Sequence, residues 1–358
     1  MKKLLLVTCI FVNVTAVDLK LVGYLQRADG LGRIPFSIVD CIKDTNLSWS
    51  TIETRKSDKT YDRVYTERLN GADNGQIGVA ILTDAIWYPR YDKYKQMPTN
   101  AKIKLAYSVF ESDSIPAEWV KIFNNNFDGI VTTDRFEKES YQKAGVTIPI
   151  FVLPNPFYIE SFFDIKRRKS IDPFVFGFSS GFWERKNYKK LIKAFVEEFG
   201  GNKNVRLRLH NRFRNMPISM RLLQEYSAKQ IKNIEIINQQ LSENEYQKFM
   251  SDLNCYVTVS KGEGFSIGPR EAMAVGIPTI VTNNTAQKTI CDSGCVLPVK
   301  SEIKEKAHYE IFRSHVGHYY DCEVVDIRMA LREVYDNYEL YCKKAEVGVQ
   351  WAEQYKFE

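Results

Sequence analysis

Residues 260–283 read SKGEGFSIGPREAMAVGIPTIVTN, a stretch holding four glycines, two prolines and two glutamates, Glu263 and Glu271, separated by seven residues. Just upstream, CYVTVS (Cys255 to Ser260) is an apolar and β-branched run that predicts a buried strand, and KGEGFSIG after it is a glycine-rich loop. Pro269 is expected to open a short helix that Gly276 ends, because proline suits the first helical position and glycine the position just past the last. PTIVT (Pro278 to Thr282) then returns as the next strand. Strand, loop and helix start form an anion cradle. Exposed backbone N–H groups around Ser266 to Gly268 and the positive end of the helix favour a phosphate, and glycine lets a ligand come close to the backbone. This reading puts Glu271 in the first helical turn, where a carboxylate suits the helix dipole but repels a bare phosphate, so Glu271 is expected to meet hydroxyls, as acidic residues do on a ribose.

Outward from that unit the same alternation recurs. LKLVGYL (Leu19 to Leu25), IGVAIL (Ile77 to Leu82), IKLAYSVF (Ile103 to Phe110), GIVTT (Gly129 to Thr133) and IFVLPN (Ile150 to Asn155) are strand-like runs between amphipathic stretches. After the charged link DIKRRKSIDP the pattern restarts with FVFGFSS (Phe174 to Ser180), VRLRLH (Val205 to His210) and IEIIN (Ile234 to Asn238). Strands alternating with helices imply parallel sheets, and the restart implies two doubly wound, Rossmann-like α/β domains in tandem. The C-terminal residues carry apolar positions at helical spacing and read as two amphipathic helices.

Composition agrees. The chain has 358 residues, 44% hydrophobic and 26% charged, an ordinary globular profile long enough for two domains. Fifty Lys plus Arg against 44 Asp plus Glu leave +6, spread along the chain apart from the knot KRRK (Lys166 to Lys169). So short a knot is expected in a solvated loop, and nucleic acid is not expected as a partner. The mild positive charge suits an anionic small ligand and allows peripheral membrane contact. Seven scattered cysteines show neither a disulfide framework nor zinc-ligand spacing, and no metal is expected.

The N-terminal MKKLLLVTCIFVNVTAVD combines two lysines, an apolar stretch and the small Ala16, a pattern similar to a secretory signal peptide. A buried first strand is the alternative, but LKLVGYL makes the better strand, so residues 1–17 are expected to be a signal or anchor. Localisation stays open between cytoplasmic and membrane-associated.

GEGFSIGPREAMAVGIPTIVTN resembles the signature of retaining glycosyltransferases of family 4, within the glycosyl transferases group 1: two glutamates separated by seven residues in a glycine loop, followed by EAMA.G.P.I. The resemblance covers nearly the whole chain. FGFSSGFWERKNYKKLIKAF (Phe176 to Phe195) is similar to the segment that opens the second domain of these enzymes and supplies diphosphate-binding cations. YSVFESDSIPAEWV, FDGIVTTDRFEKESYQKAGV and IPIFVLPNPF resemble first-domain elements of members acting in polysaccharide or lipopolysaccharide assembly.

The resemblance implies a GT-B architecture, with two Rossmann-like domains facing a central cleft. Residues 18–165 would form the acceptor domain, 170–335 the nucleotide-sugar domain, and 336–358 a helix returning to the N-terminal domain. It implies a retaining, metal-independent hexosyltransferase that uses no cofactor, takes a nucleoside diphosphate sugar as co-substrate and acts on a glycan or lipid-linked acceptor. Carried over, Glu263, Arg185 and Lys186 are the catalytic candidates. Glu271 would hold the ribose, and Glu263 with the backbone of Gly264, Phe265, Ser266 and Ile267 would line the sugar. Gly30 and Gly32, in the loop QRADGLGRIP, would approach the diphosphate from the other domain. Glu111 and Asp113 in FESDS are first-domain candidates for orienting the acceptor.

Two departures stand out: the common GFG is GFS here, with Ser266, and PNG is PNP at Pro154 to Pro156. No Asp-x-Asp occurs, so cations and helix N-termini are expected to offset the leaving charge. The four histidines, His210, His308, His315 and His318, all fall in the second half. Two rivals are a sugar-nucleotide-binding protein without turnover and a dehydrogenase. The second is disfavoured because no strand is followed by a complete Gly-x-Gly-x-x-Gly with an acidic residue about 20 positions on.

Overall fold

A computed structural model describes residues 17–23, 32–54, 75–84, 92–155, 157–212, 225–309 and 313–356. The expected signal or anchor lies outside the described residues as far as residue 16, and Val17 already opens the first strand. Among the described residues no helix is long and apolar enough to cross a membrane. The chain divides into two compact units. One comprises residues up to Val109 with Ile115–Phe157; the other runs from Tyr158 to Lys356 and takes in Phe110–Ser114.

The first unit is built on β1 (Val17–Gly23), β2 (Trp49–Glu53), β3 (Ile77–Leu82), β4 (Ala101–Tyr107), β5 (Gly129–Thr132) and β6 (Ile150–Val152), in the order β2-β1-β3-β4-β5-β6. Every neighbouring pair is parallel. Leu21 of β1, Trp49 of β2 and Phe36 and Val39 of the helix Arg33–Ile42 form one buried cluster. The sequence reading passes over β2, whose five residues alternate too briefly to stand out.

The second unit repeats the plan with β7 (Phe174–Ser180), β8 (Val205–Asn211), β9 (Ile234–Asn238), β10 (Cys255–Thr258), β11 (Thr279–Thr282) and β12 (Leu297–Val299). Their order is β12-β11-β10-β7-β8-β9, all parallel. Taking β7 as the first strand, this is the Rossmann order 3-2-1-4-5-6, and the winding reverses between β7 and β10. Phe174, Phe176 and Phe178 on β7 and Val257 on β10 are buried in one core with Leu191, Phe195 and Phe199 of the helix Tyr188–Phe199. Burial on both faces explains why these strands read as continuous apolar runs.

Beyond β12 comes an element the sequence reading does not contain, an antiparallel pair β13 (Ile303–Tyr309) and β14 (Ser314–Asp321). Two lysines, one glutamate, one aspartate and three histidines interrupt it, so it lacks the apolar run that marks the other strands. The helices Val324–Asp336 and Tyr338–Ala352 follow as expected, and the second packs on the helix Ile267–Val275 of its own unit.

Candidate active site

The site forms where the winding of the second sheet reverses, since neighbouring crossovers there leave to opposite faces and open a crevice at the carboxyl ends of β7 and β10. After β7 the chain passes Trp183 into a 3-10 turn, Glu184–Lys186, and Asn187 takes a left-handed φ of 57° before the next helix. The buried Asn187 amide donates to Asp321 Oδ1 at 2.7 Å. After β10 the loop runs Lys261-Gly262-Glu263, and the Lys261 N–H donates to the Arg185 carbonyl at 2.8 Å, tying the two loops together.

Arg185, Lys186 and Glu263 are brought into contact. Lys186 Nζ lies 2.5 Å from Glu263 Oε1 and Arg185 Nη1 lies 3.1 Å from Glu263 Oε2. Arg185 also donates to the Gly262 carbonyl, and through Nη2 to Glu111 Oε1 at 2.9 Å. The Glu263 backbone N–H donates to Thr285 Oγ1 at 2.8 Å, which fixes the loop from the β11 side. Burial by itself would raise the Glu263 pKa, but Lys186 and then Arg185 override it and hold the carboxyl at about 2. Burial pulls Lys186 down to about 8, with Arg185 adding to this against the attraction of Glu263. Arg185 is buried too, yet Glu111 and Glu263 keep its pKa above the ordinary value.

The helix that follows starts earlier than its sequence suggests. It spans Ile267–Val275, with Ser266 as N-cap at φ 66° and Gly276 as a left-handed C-cap at φ 77°. Pro269 therefore sits third in the helix and not first. Its missing N–H is still among those with no intrahelical partner, so the position is compatible, and the turn is made one step earlier by Ser266. As a result Glu271 is the fifth helical residue and lies outside the first turn. It remains buried beside the loop, where Oε2 accepts from the Tyr246 hydroxyl at 2.8 Å. Gly268 faces Tyr256 so closely that an added Cβ would run into its hydroxyl.

Below the loop, Arg270 is fully buried, 3.8 Å from the Phe265 ring centroid and 4.9 Å from that of Tyr355. Its Nη1 donates to the Phe265 and Ser266 carbonyls. The Phe265 side chain and carbonyl thus both belong to the packing under the loop. The Gln287 amide donates to Ser266 Oγ at 3.4 Å.

His210, at the end of β8, accepts from the Ser179 hydroxyl at Nδ1 (2.9 Å) and donates from Nε2 to the Gln239 carbonyl (3.0 Å). Burial lowers its pKa.

Other expected residues fall elsewhere. Gly32 is in the first unit, where it caps the helix Arg33–Ile42 at φ −65°, and Gly30 and Pro156 lie outside the described residues. Glu111 and Asp113 are not first-domain loop carboxylates. Their segment groups with the second unit, because Glu111 pairs with Arg185 and Asp113 accepts from the His318 N–H (2.7 Å) and the Tyr320 hydroxyl (2.8 Å) of β14. The KRRK knot is only partly solvated: Arg167 donates to the Tyr338 hydroxyl at 2.9 Å and Arg168 to the Ser170 carbonyl at 2.8 Å.

The sequence reading misses Arg212, close enough to act electrostatically on Lys186, His210 and Tyr256. It belongs to no motif, but a cation just past a strand's carboxyl end is the signal that would have found it.

Residues 173–308 match the family model of glycosyl transferases group 1. The match spans β7 to β13 and so contains both site loops. The fold comparisons agree. A glycosyltransferase from Rickettsia africae superimposes with a TM-score of 0.69 at 13% identity, covering 94% of each chain. Anabaena HepE in complex with UDP and glucose gives 0.66 at 10% identity, covering 94% of this chain and 95% of that one. A Staphylococcus aureus TarM variant in complex with fondaparinux, α-GlcNAc-glycerol and UDP gives 0.57 at 14% identity over 78% of this chain; the chain spans only 52% of that protein. At such identities the likeness shows the fold, which is GT-B. No curated protein matches the sequence.

Proposed function

We propose that the chain is a group 1 glycosyltransferase and moves a hexose from a nucleoside diphosphate sugar to a hydroxyl of a glycan or lipid-linked acceptor, with retention at the anomeric carbon. The observation that carries the reading is the convergence of Arg185, Lys186 and Glu263 at the reversal point of the second sheet, beside a loop opening the helix Ile267–Val275. Arg185 and Lys186 neutralise the diphosphate as it departs, a preorganised electrostatic role. Glu271 takes the ribose hydroxyls; Tyr246 uses one oxygen of its carboxylate, and a carboxylate accepts several hydrogen bonds. Glu263 and the backbone of Gly264, Phe265, Ser266 and Ile267 line the sugar. The departing phosphate itself accepts the acceptor's proton, so no histidine base is required.

UDP in the crystals of HepE and TarM supports a uridine donor as the first to try. Incubation with UDP-hexoses and glycan acceptors, followed by NMR of the new anomeric proton, is the test. An α-linked product from an α-donor supports retention, and binding without transfer would leave only a sugar-nucleotide-binding protein. Transfer is expected to survive excess chelator; loss restored by magnesium or manganese overturns metal independence.

A further inference from the structure

We propose that Glu111 occupies, on Arg185, the place of the donor's diphosphate and has to release it when donor binds. The inference rests on the reading of Arg185 and Lys186 as the diphosphate site.

Two cations, Arg185 and Lys186, face two carboxylates, Glu111 and Glu263, so the quartet as it stands is neutral. Three of the five Arg185 N–H donors are accounted for, those of Nη1 by Glu263 and the Gly262 carbonyl and one of Nη2 by Glu111. A planar guanidinium recognises phosphate through the same fork it uses for carboxylate, so it cannot serve both at once. A diphosphate gains the Nη1–Nη2 fork of Arg185 only if a carboxylate leaves it, and until then the quartet offers it no net positive charge.

The anchoring decides which. Glu263 has 8% of its side chain exposed and is held by Lys186, Arg185 and, through its backbone, Thr285. Glu111 has 29% exposed and, besides Arg185, its side chain meets among the described residues the Tyr309 hydroxyl, a long 3.4 Å from Oε2. Its backbone cannot drift away. Phe110 stacks on Tyr309 at 4.7 Å, the Ser112 hydroxyl donates to the Val316 carbonyl at 2.7 Å, and Asp113 is fastened to His318 and Tyr320. The release is therefore a side-chain rotation on a fixed strap, with Tyr309 placed to receive the carboxylate. The strands β13 and β14 thereby acquire a role: they hold a removable anion against Arg185.

The alternative, that Glu111 only props Arg185 in position, predicts the opposite sign. Calorimetry with the full chain, titrating UDP, GDP and ADP into wild type, Glu111→Gln and Lys186→Ala, separates them. The expected result is the best wild-type ligand bound about 3- to 10-fold more tightly by Glu111→Gln, the scale of one partly exposed ion pair, and more weakly by Lys186→Ala. Equal or weaker binding by Glu111→Gln, with Lys186→Ala still weakened, overturns the placeholder and leaves the diphosphate site standing. If no nucleotide binds wild type, or Lys186→Ala binds as wild type does, both fail together. Should Glu111→Gln not fold, Glu111→Asp, whose shorter arm withdraws from Arg185, carries the same sign.

Discussion

The two parallel sheets reverse their winding in the same manner and furnish the reversal differently. In the second unit, β7 and β10 lead into loops that place Arg185, Lys186 and Glu263 in contact. In the first unit the reversal lies between β1 and β3, and among the described residues Thr83, Asp84 and Lys93, which follow β3, are spent on the fold. Thr83 donates to the Val22 carbonyl, Asp84 accepts from the Thr54 hydroxyl, and Lys93 Nζ donates to the Thr54 carbonyl at 2.6 Å. Topology thus provides a crevice in each sheet, whereas side chains decide which one, among the described residues, concentrates charge. In the second, Arg185 and Lys186 share the buried Glu263, and the more exposed Glu111 is the second carboxylate on Arg185.

The sharpest way to break that contrast is to remove the shared carboxylate. Glu263→Ala leaves Arg185 and Lys186 without their common partner, and breaking a buried pair in this way costs about 3–5 kcal/mol. Scanning calorimetry should show a marked fall in Tm, with transfer abolished. Thr54→Val, at the first reversal, should cost only about 1–3 kcal/mol as Asp84 loses a donor, and transfer should continue. If Thr54→Val silences transfer and Glu263→Ala does not, the assignment of the two crevices is reversed. The Glu263 contribution also has a pH signature. Its folded pKa of about 2 lies below the ordinary 4.5, so the stabilisation is fully present above about pH 4.5 and is lost as pH falls toward 2.

Next in size is Lys186. Lys186→Ala should lower kcat about 10²- to 10³-fold, more than it raises donor KM, because diphosphate charge grows as the glycosidic bond breaks. A pure KM effect would reduce Lys186 to a donor anchor. With its pKa near 8 and the charged form active, kcat/KM for donor should fall as pH rises through about 8, since that ratio reports the free enzyme. Lys186→Arg, which stays charged, should remove the alkaline limb. A limb that persists in Lys186→Arg belongs to another group.

How much of this could be read from residues alone follows the same contrast. The strands of the second sheet show as apolar runs because both faces are buried; FVFGFSS and IEIIN coincide with β7 and β9 to the residue. Only the resemblance to the glycosyltransferase signature put ERK and Glu263 in one site; the contact is made because both loops follow strands flanking the reversal. The strands β13 and β14 were not legible, since their charged side chains have no apolar period to betray them. The placement of Glu111 and Asp113 was lost with them, for it depends on contacts more than 200 residues apart in sequence for the Asp113 partners. The start of the helix at Ile267 was misplaced because Pro269 suits any position in a first turn, and only the left-handed Ser266 reveals where the turn is made.

A smaller effect is expected at Glu271, the fifth residue of the helix Ile267–Val275. Glu271→Ala should weaken donor binding by about 1.5–3 kcal/mol, the loss of a charge-assisted hydrogen bond to ribose. Tyr246→Phe, which removes the hydroxyl donating to Glu271, should weaken it less, because the carboxylate remains. Unchanged donor affinity in calorimetry for Glu271→Ala, with the fold intact, would remove Glu271 from the donor site and confine that site to the cations and Glu263.

The smallest effect concerns the residue at which the loop departs from the signature it resembles. Ser266 holds φ 66°, ψ 77°, a left-handed conformation that glycine adopts without the steric cost a Cβ brings, so the glycine usual at this place has a physical reason. Ser266→Gly relieves that strain but gives the unfolded chain more freedom and removes one of two acceptors for the Gln287 amide, Thr258 Oγ1 being the other, so the net change should stay within about 1 kcal/mol. Ser266→Val, with a β-branched side chain in the same conformation, should destabilise by more than that. Comparing Tm for the two variants isolates the backbone. If valine is tolerated as well as glycine, the left-handed turn is not what sets the start of the helix, and the loop must be held instead by Arg270 beneath it, through the Phe265 and Ser266 carbonyls.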